Sequence, residues 1–185
     1  MEDGISDASG GENLEYIKND PSSQSGIIVG MIEDNYEIGG RNSANAFAFA
    51  QGMSVEANGI SSHAEGDFTT ASGRGSHAEG YRTTASGEYS HAEGYETAAS
   101  GKHSHAEGQG TLTARRSQHV IGEFNIKDTE GLGETARGKY VMIVGNGTST
   151  NRSNAFAMKW DGTFVFADGT EITPAQFASL LALLN

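Results

Sequence analysis

A five-residue motif recurs every 14 residues through the middle of the sequence. Ser-His-Ala-Glu-Gly occurs at Ser62–Gly66, Ser76–Gly80, Ser90–Gly94 and Ser104–Gly108. An Ala-Ser-Gly element lies between consecutive copies, and degenerate units precede and follow them, so the array spans residues 45–122. A fixed period with atypical end units is typical of a solenoid, in which each repeat packs on its neighbours.

Each 14-residue unit predicts two short strands that end at glycines. The motif alternates between small and large side chains, and the Thr-rich segment 69–72 has the composition of a second strand. Period-2 alternation places Ala64 and Ala71 on the inner faces of the two strands and leaves His63 and Glu65 outside. Consecutive coils would then pair in parallel around an interior so thin that only Ala, Ser, Thr and Gly fit.

The composition taken alone predicts disorder. Leu, Ile, Val and Phe make up 32 of the 185 residues, and the net charge is -12, a combination typical of chains that do not fold by themselves. Between Ser62 and Ser117 there is one Leu and one Phe. Burial within one coil stack therefore does not offset an ordering cost of about 1–2 kcal/mol per residue. We expect several stacks to pack side by side and to bury their outward His and Glu faces.

The charge and the residue usage exclude several classes of function. With 24 acidic and 12 basic residues, the chain lacks the basic surface that binds nucleic-acid phosphates or an anionic membrane. It has no Cys, which removes disulfides and thiol catalysis. No apolar run reaches the ~20 residues of a membrane span, and Met1–Ser6 lacks the features of a signal peptide. We expect no nucleic-acid partner, no membrane insertion and no secretory leader.

Catalysis is not expected from this sequence. Ser62 and His63 are adjacent in the motif, so they point to opposite faces of a strand and do not form a nucleophile–base pair. The sequence also contains no nucleophile elbow and no phosphate-binding loop. We therefore predict no catalytic residues, no cofactor and no enzymatic activity.

The repeats resemble the head repeats of YadA-type trimeric adhesins, the Hep/Hag repeats, whose units are close to Asn-Ser-Val-Ala-Ile-Gly. Ser62, Ala64 and Gly66 match the Ser, Ala and Gly of that unit, while His63 and Glu65 stand at its Val and Ile positions. The resemblance implies an all-β fold, a left-handed parallel β-roll assembled as a homotrimer. It also implies that the Val and Ile positions lie towards the subunit interface.

The Ser-His-Ala-Glu-Gly variant and the segments after it are similar to tail and fibre proteins of phages and prophages of Gram-positive bacteria. The similar segments are Gln118–Asp128, Lys139–Ser149 and Arg152–Gly162, within a resemblance that covers about residues 41–169. It implies a trimeric tail-fibre or spike component, made in the bacterial cytoplasm and carried on a virion or other extracellular particle. A bacterial surface adhesin head is the alternative, and a tail-associated glycan-degrading enzyme is a third, less favoured one.

The resemblance also implies the kinds of partner. The N-terminal region would bind tail or baseplate proteins, and the distal part would contact a glycan or protein on the host surface. Tyr81, Tyr89 and Tyr95 lie beside turns, where such residues brace the backbone more often than they bind glycans. We interpret them as braces, with glycan-binding platforms as the alternative.

Two outward slots of each unit are assigned to the trimer interface. The His slot is Phe in the first unit and the Glu slot is Ile in the last, so both slots suit a buried face. The predicted interface residues, including a C-terminal apolar stripe, are Phe49, His63, Glu65, His77, Glu79, His91, Glu93, His105, Glu107, His119, Ile121, Phe177, Leu180, Leu181 and Leu184.

The repeated His and Glu residues allow two interpretations. One is a structural ladder of polar groups across subunits, and the other is a column that binds metal or responds to pH. Identity over four units favours the structural ladder, because a metal centre needs only one set of ligands. We predict no metal, and keep His103 and His105 as the candidate pair because strand alternation puts them on one face. A buried ladder should make stability change between about pH 5 and 7.

The C-terminal residues have the start signal of a helix. Thr173 fits an N-cap, Pro174 the first helical position and Gln176 a capping box. The apolar stripe that follows would be buried by three copies around a three-fold axis, or by folding back on the hairpin that Asp161-Gly162 predicts just before it. We leave both arrangements open.

The sequence divides into five predicted segments. They are a flexible acidic N-terminus, a short strand and attachment region, the β-roll, a β region with a hairpin, and an amphipathic helix. Their bounds are 1–25, 26–44, 45–122, 123–172 and 173–185.

Overall fold

The computed structural model describes residues 27–30, 48–131, 133 and 135–183, and at 27–30 it describes the backbone. The predicted N-terminal segment 1–25 lies outside the described residues, as do residues 26 and 31–44 of the predicted attachment region.

A parallel β-solenoid forms the centre of the molecule, as the 14-residue period predicts. The strands that precede and form its coils are β1 Ile27–Gly30, β2 Phe49–Met53, β3 Glu56–Ala57, β4 His63–Asp67, β5 Thr70–Ala71, β6 His77–Tyr81, β7 Thr84–Ala85, β8 His91–Tyr95, β9 Ala98–Ala99, β10 His105–Gln109, β11 Leu112–Thr113 and β12 His119–Glu123. Strands β3, β5, β7, β9 and β11 form a five-stranded parallel sheet, and the others belong to a longer sheet. Each coil thus supplies one strand to each sheet.

The register of the coils advances by one repeat per strand. His63 of β4 lies beside His77 of β6, and the same pairing continues through β8, β10 and β12. At the other end β1 pairs in parallel with β2, Ile27 beside Phe49, so the strand expected near residue 27 adds a rung below the first coil. Every outward side chain is therefore stacked directly on its counterpart in the next coil.

The core is a column of alanines, which confirms the predicted thin interior. Ala64 and Ala71 are fully buried, and so are their counterparts in the following coils. The remaining interior positions carry hydroxyl residues, such as Ser62 and Thr69, and these are buried as well. Bulkier interior side chains occur only in the end units of the described array, where Val55 and Val120 are fully buried.

Glycine sets the distance between coils at one corner. Gly66 has a φ of +114°, and a Cβ at this position would lie 2.1 Å from the carbonyl oxygen of Gly80 in the next coil. A real Cβ cannot approach a carbonyl oxygen so closely, so the stacking requires a residue without one. Because the repeat has glycine at this position in each unit, successive coils stack at the normal spacing of β-strands.

The opposite corner uses left-handed residues with side chains. Tyr89 has a φ of 55°, and its ring lies over Gly75 of the preceding coil, 2.8 Å from where a Cβ would be. Phe124 covers Gly110 in the same way at a second left-handed corner, which follows the first strand of each coil. Aromatic rings at these corners therefore pack on glycines one coil below.

Two side-chain amides close the second sheet at its last coil. Asn125 and Gln118 occupy the slots that hold Thr and Ser in the earlier coils, and both are buried. The Leu112 amide donates to Asn125 Oδ1 (2.8 Å), and Asn125 Nδ2 donates to the Leu112 carbonyl (3.1 Å). Gln118 accepts from the Ala114 amide (3.2 Å) and donates to Asp128 (3.1 Å). The amides thus replace the backbone partner that a further coil would have supplied.

The longer sheet continues beyond the repeats. Strand β13 Tyr140–Asn146 pairs in parallel with β12, and β14 Asn154–Lys159, β15 Phe164–Phe166 and β16 Glu171–Ile172 follow in antiparallel order. The predicted hairpin is confirmed, because the turn between β14 and β15 holds Asp161 and Gly162.

A single short helix, α1 Pro174–Ala182, ends the described chain. Its capping box is formed as predicted: the Gln176 amide donates to Thr173 Oγ1, and the Thr173 amide donates to Gln176 Oε1. None of its residues is buried, and Phe177, Leu180 and Leu181 are about half exposed. The stripe is therefore not folded onto the hairpin, and Leu184 lies outside the described residues. In the part of the chain described here, no helix is long and apolar enough to span a membrane.

Candidate functional site

Five histidine rings form a continuous column on the outer face of the longer sheet. His63, His77, His91, His105 and His119 stack with centroid separations of 4.5 to 4.7 Å. We call this set the imidazole column. The ring of Phe49 meets its lower end edge-on, at 5.0 Å from the His63 ring. The parallel register produces the column, because it places the same outward slot of every coil on one line.

Four glutamates form a second column beside the first. Glu65, Glu79, Glu93 and Glu107 line an open groove with glycines of the same strands. We call this set the carboxylate column. In-register parallel strands place the backbones of successive glutamates about 4.8 Å apart. Among the described residues, no Lys or Arg forms an ion pair with any of the four.

The two columns approach each other without forming hydrogen bonds. His63 Nε2 lies 3.5 Å from Glu65 within one coil, and His77 Nε2 lies 3.7 Å from Glu79. These distances exceed the 2.7–3.2 Å of a protein hydrogen bond. The Nε2 atoms of four column histidines are buried and lack a hydrogen-bond partner among the described residues: His63, His77, His91 and His105. Burying a ring nitrogen without a hydrogen-bond partner costs free energy. We therefore expect a further group to bind these nitrogens.

Burial and like charges shift the pKa of three histidines and one glutamate of the columns. Burial, and then repulsion from adjacent imidazoles, lowers the pKa of His77, His91 and His119. Burial also raises the pKa of Glu93, and neighbouring carboxylates at Glu79 and Glu107 add to that effect. The folded chain therefore favours the neutral imidazole at these three histidines.

The predicted interface residues form two separate surfaces. Those of the β-roll follow the two columns from Phe49 to His119, and Ile121 extends the Glu slot beside Val144 of β13. Phe177, Leu180 and Leu181 form the second surface, on α1. Within one chain, the described residues leave both surfaces open to a partner.

The candidate metal pair does not share a face. His103 is a turn residue with a φ of 57°, and its ring lies 5.6 Å from that of Tyr89. His105, two residues later, is in β10 and belongs to the imidazole column. The strand alternation that placed His103 beside His105 does not apply, because the left-handed corner interrupts the strand.

The aromatic residues at the corner that follows the first strand of each coil contact one another. The rings of Tyr81 and Tyr95 stack at 5.1 Å, and Phe68 meets Tyr81 edge-on at 6.3 Å. The Arg82 guanidinium lies 5.2 Å from the Tyr81 ring and pairs with Glu96 at 3.4 Å. These contacts link successive coils, which is the arrangement a bracing role requires.

A small cationic groove was not anticipated from the sequence. Lys102, His103, Arg116 and Arg137 line it, and Lys102 is paired with Glu88. The Arg137 guanidinium lies 4.4 Å from the ring of Trp160. The signal in the sequence was the Arg115-Arg116 pair, which stands out in a chain of net charge -12.

Comparisons with protein-family models, with curated proteins and with solved structures each found no match to this chain.

Proposed function

We propose that this chain is a structural and interaction protein, the subunit of a homotrimeric tail fibre or spike on a phage or phage-like particle, and that it takes part in attachment to the host surface. The observation that carries the proposal is the pair of surfaces that one chain leaves uncovered. One is formed by the imidazole and carboxylate columns, in which four Nε2 atoms lack a hydrogen-bond partner among the described residues, and the other is the apolar stripe of α1.

The energetics of the solenoid support self-association. Its interior consists mainly of Ala, Ser and Thr, so each residue buries little apolar area. Because burial stabilises a fold by about 25 cal/mol per Å² of apolar area, the hydrophobic stabilisation per residue is small. Packing the columns of three chains together would bury Phe49 and Ile121 and would give the ring nitrogens of His63 and His77 partners across subunits. The solenoid then gains from contacts between chains what its thin core does not supply.

The particle assignment is supported by the resemblance of the repeats and of the segments after them to phage and prophage fibre proteins. In this proposal the N-terminal region binds tail or baseplate proteins, and a glycan or protein of the host surface binds elsewhere on the trimer. Electron microscopy of particles labelled with an antibody to this chain tests it. Label on tails supports the proposal, whereas label on cell envelopes without particles supports an adhesin head instead.

The molar mass in solution is the first test. Light scattering coupled to size exclusion should give three times 19.4 kDa at micromolar concentration. A mass of one chain overturns the proposed trimer. Binding of the fluorescently labelled trimer to host cells, reduced by prior adsorption of intact particles, would then support the attachment role; binding that particles do not reduce would contradict it.

A further inference from the structure

The step of the imidazole column between His91 and His105 differs from the others. The two ring planes are inclined by 27°, against 5° or less at the other steps. Glu93 lies towards the next coil, with its Oε1 3.4 Å from Nε2 of His105, and Glu107 Oε2 lies 3.8 Å from the same nitrogen. Two carboxylates from adjacent coils thus flank one imidazole nitrogen.

The spacing of these atoms suits ligands around an ion. Zinc binds imidazole nitrogen and carboxylate oxygen at about 2.0–2.2 Å in tetrahedral geometry, which places two ligand atoms about 3.3–3.6 Å apart. One ligand atom each from His91, Glu93 and His105 lies within 4.8 Å of the other two. The Nε2 atoms of both histidines are buried and have no hydrogen-bond partner among the described residues. Rotation of these three side chains would therefore bring three ligand atoms to one ion.

The charge at this step also favours a cation. Glu93 lies between Glu79 and Glu107 in the carboxylate column, and like charges at strand spacing destabilise a parallel sheet. Among the described residues no Lys or Arg pairs with them. A divalent ion would neutralise the repulsion and would give the buried imidazole nitrogens a partner.

We propose that His91, Glu93 and His105 bind one divalent transition-metal ion per chain, with Glu107 as the nearest additional carboxylate. Imidazole with carboxylate suits Zn²⁺, Co²⁺ or Ni²⁺, whereas Mg²⁺ and Ca²⁺ prefer oxygen alone. Two neighbouring triads, centred on Glu79 and Glu107, share His91 or His105 with this one. An ion at the central triad uses His91 and His105, so neither neighbouring triad can bind a second ion with its full set of ligands. The expected stoichiometry is therefore one ion per chain. All ligands come from one chain, so the site goes beyond the proposed trimer and does not depend on it.

Cobalt titration of tag-free, chelator-treated protein tests the site. Visible absorption should saturate at one Co²⁺ per chain with a dissociation constant below about 0.1 mM, and Zn²⁺ should displace the bound cobalt. Glu93→Gln and His105→Gln should each weaken binding by about tenfold or more. His103→Gln is the matched control, because it removes a histidine two residues from His105 but outside the column.

Three outcomes overturn the site. They are the absence of saturable cobalt binding, a saturation of two ions per chain, and an equal loss in His103→Gln. Circular dichroism verifies that each variant is folded, and nitrogen NMR of the wild-type histidines gives a second readout, since Zn²⁺ should shift the Nε2 resonances of His91 and His105. The molar mass is measured on the same samples. A single-chain mass with one bound ion refutes the trimer alone, and a trimer without saturable binding refutes the metal site alone.

Discussion

Single glycines determine how closely the coils stack. Gly94 has a φ of +106°, and a Cβ there would lie 2.2 Å from the carbonyl oxygen of Gly108. The obstacle is backbone of the next coil, which is itself held in the sheet, so it cannot move aside as a flexible side chain could.

We expect Gly94→Ala to destabilise the protein by more than about 3 kcal/mol, because it combines an unfavourable backbone conformation with a backbone clash. Gly169→Ala is the control: its φ is +83°, but no atom lies within 4 Å of the added Cβ, so it should cost about 1 kcal/mol. Chemical denaturation measures both. Equal costs would show that conformation alone, and not coil spacing, requires the glycine.

Residue by residue, the period-2 rule predicted the solenoid well inside strands and failed at its corners. Ala64 and Ala71 lie inside and His63 lies outside, as alternation requires. His103 does not follow the rule, because a left-handed corner residue resets the direction of the chain before β10. Alternation describes extended backbone only, and the one signal for this corner is Gly75, which stands in the same slot two units earlier and also has a positive φ.

At the scale of elements, the end of the second sheet depends on one amide. Asn125 makes both hydrogen bonds that a further strand would offer to Leu112. We expect Asn125→Ala to destabilise the protein by about 2 kcal/mol, because it leaves a backbone donor and acceptor unpaired. Hydrogen exchange should show faster exchange of the Leu112 amide in particular.

The exposed Asn151 offers a control for that change. Asn151→Ala removes the same amide from a loop and should alter stability by less than about 0.5 kcal/mol. If Asn125→Ala leaves the exchange of Leu112 as slow as in the wild type, the amide is not the cap of the sheet.

The helix shows which part of an element the sequence predicts. Its start at Thr173 and Pro174 is set by neighbouring residues, and the capping box formed as the pattern indicates. What covers Phe177 and Leu180 depends on contacts far along the chain or in another copy, and the local pattern left two arrangements open. The structure removes one of them, since the stripe is not packed on the hairpin.

If the stripe of α1 helps to join subunits, a charge within it should weaken assembly. We expect Leu180→Asp to raise the dissociation constant of the trimer by about tenfold or more, since burial of each Leu contributes about 1.5–3 kcal/mol. Sedimentation velocity over a dilution series measures it. Ser179→Asp, which places the same charge on the opposite side of the helix, should leave the mass unchanged; an equal effect would exclude the stripe as the interface.

For the whole molecule, the imidazole column predicts loss of stability in mild acid. Because the pKa values of His77, His91 and His119 lie below the ordinary 6.5, the unfolded chain binds more protons than the folded one as the pH falls. Their contribution is fully present above about pH 7 and is lost below pH 6.5. The pKa of Glu93 is raised above 4.5, so its contribution to stability increases as the pH falls. It offsets part of the loss from the histidines only as the pH approaches the pKa of Glu93.

Thermal unfolding of metal-free protein should therefore give a melting temperature that falls by a few degrees between pH 7.5 and about 5.5. Replacing the three histidines by Gln should flatten this profile, whereas His103→Gln should keep it. A melting temperature that stays constant over that range in the wild-type protein would contradict the buried column.

The composition taken alone predicts disorder, and the 14-residue period explains why the chain folds nevertheless. Few aliphatic residues and a net charge of -12 describe a chain that cannot bury a conventional core, and the solenoid replaces that core with alanines. The period was enough to predict the parallel coils. It was not enough to predict the distances between His and Glu or the tilt between the His91 and His105 rings. These depend on the conformations of individual side chains on a uniform backbone.

The uniform register also makes length an adjustable property. Each coil presents to the next the same backbone that it receives from the one before, and only the last coil carries the amides that close the stack. Losing or gaining one whole unit returns the chain to register, so the rod shortens or lengthens by about 4.8 Å while both ends stay intact. Recombination that removes or duplicates the gene segment of one whole unit would thus yield folded variants of different length.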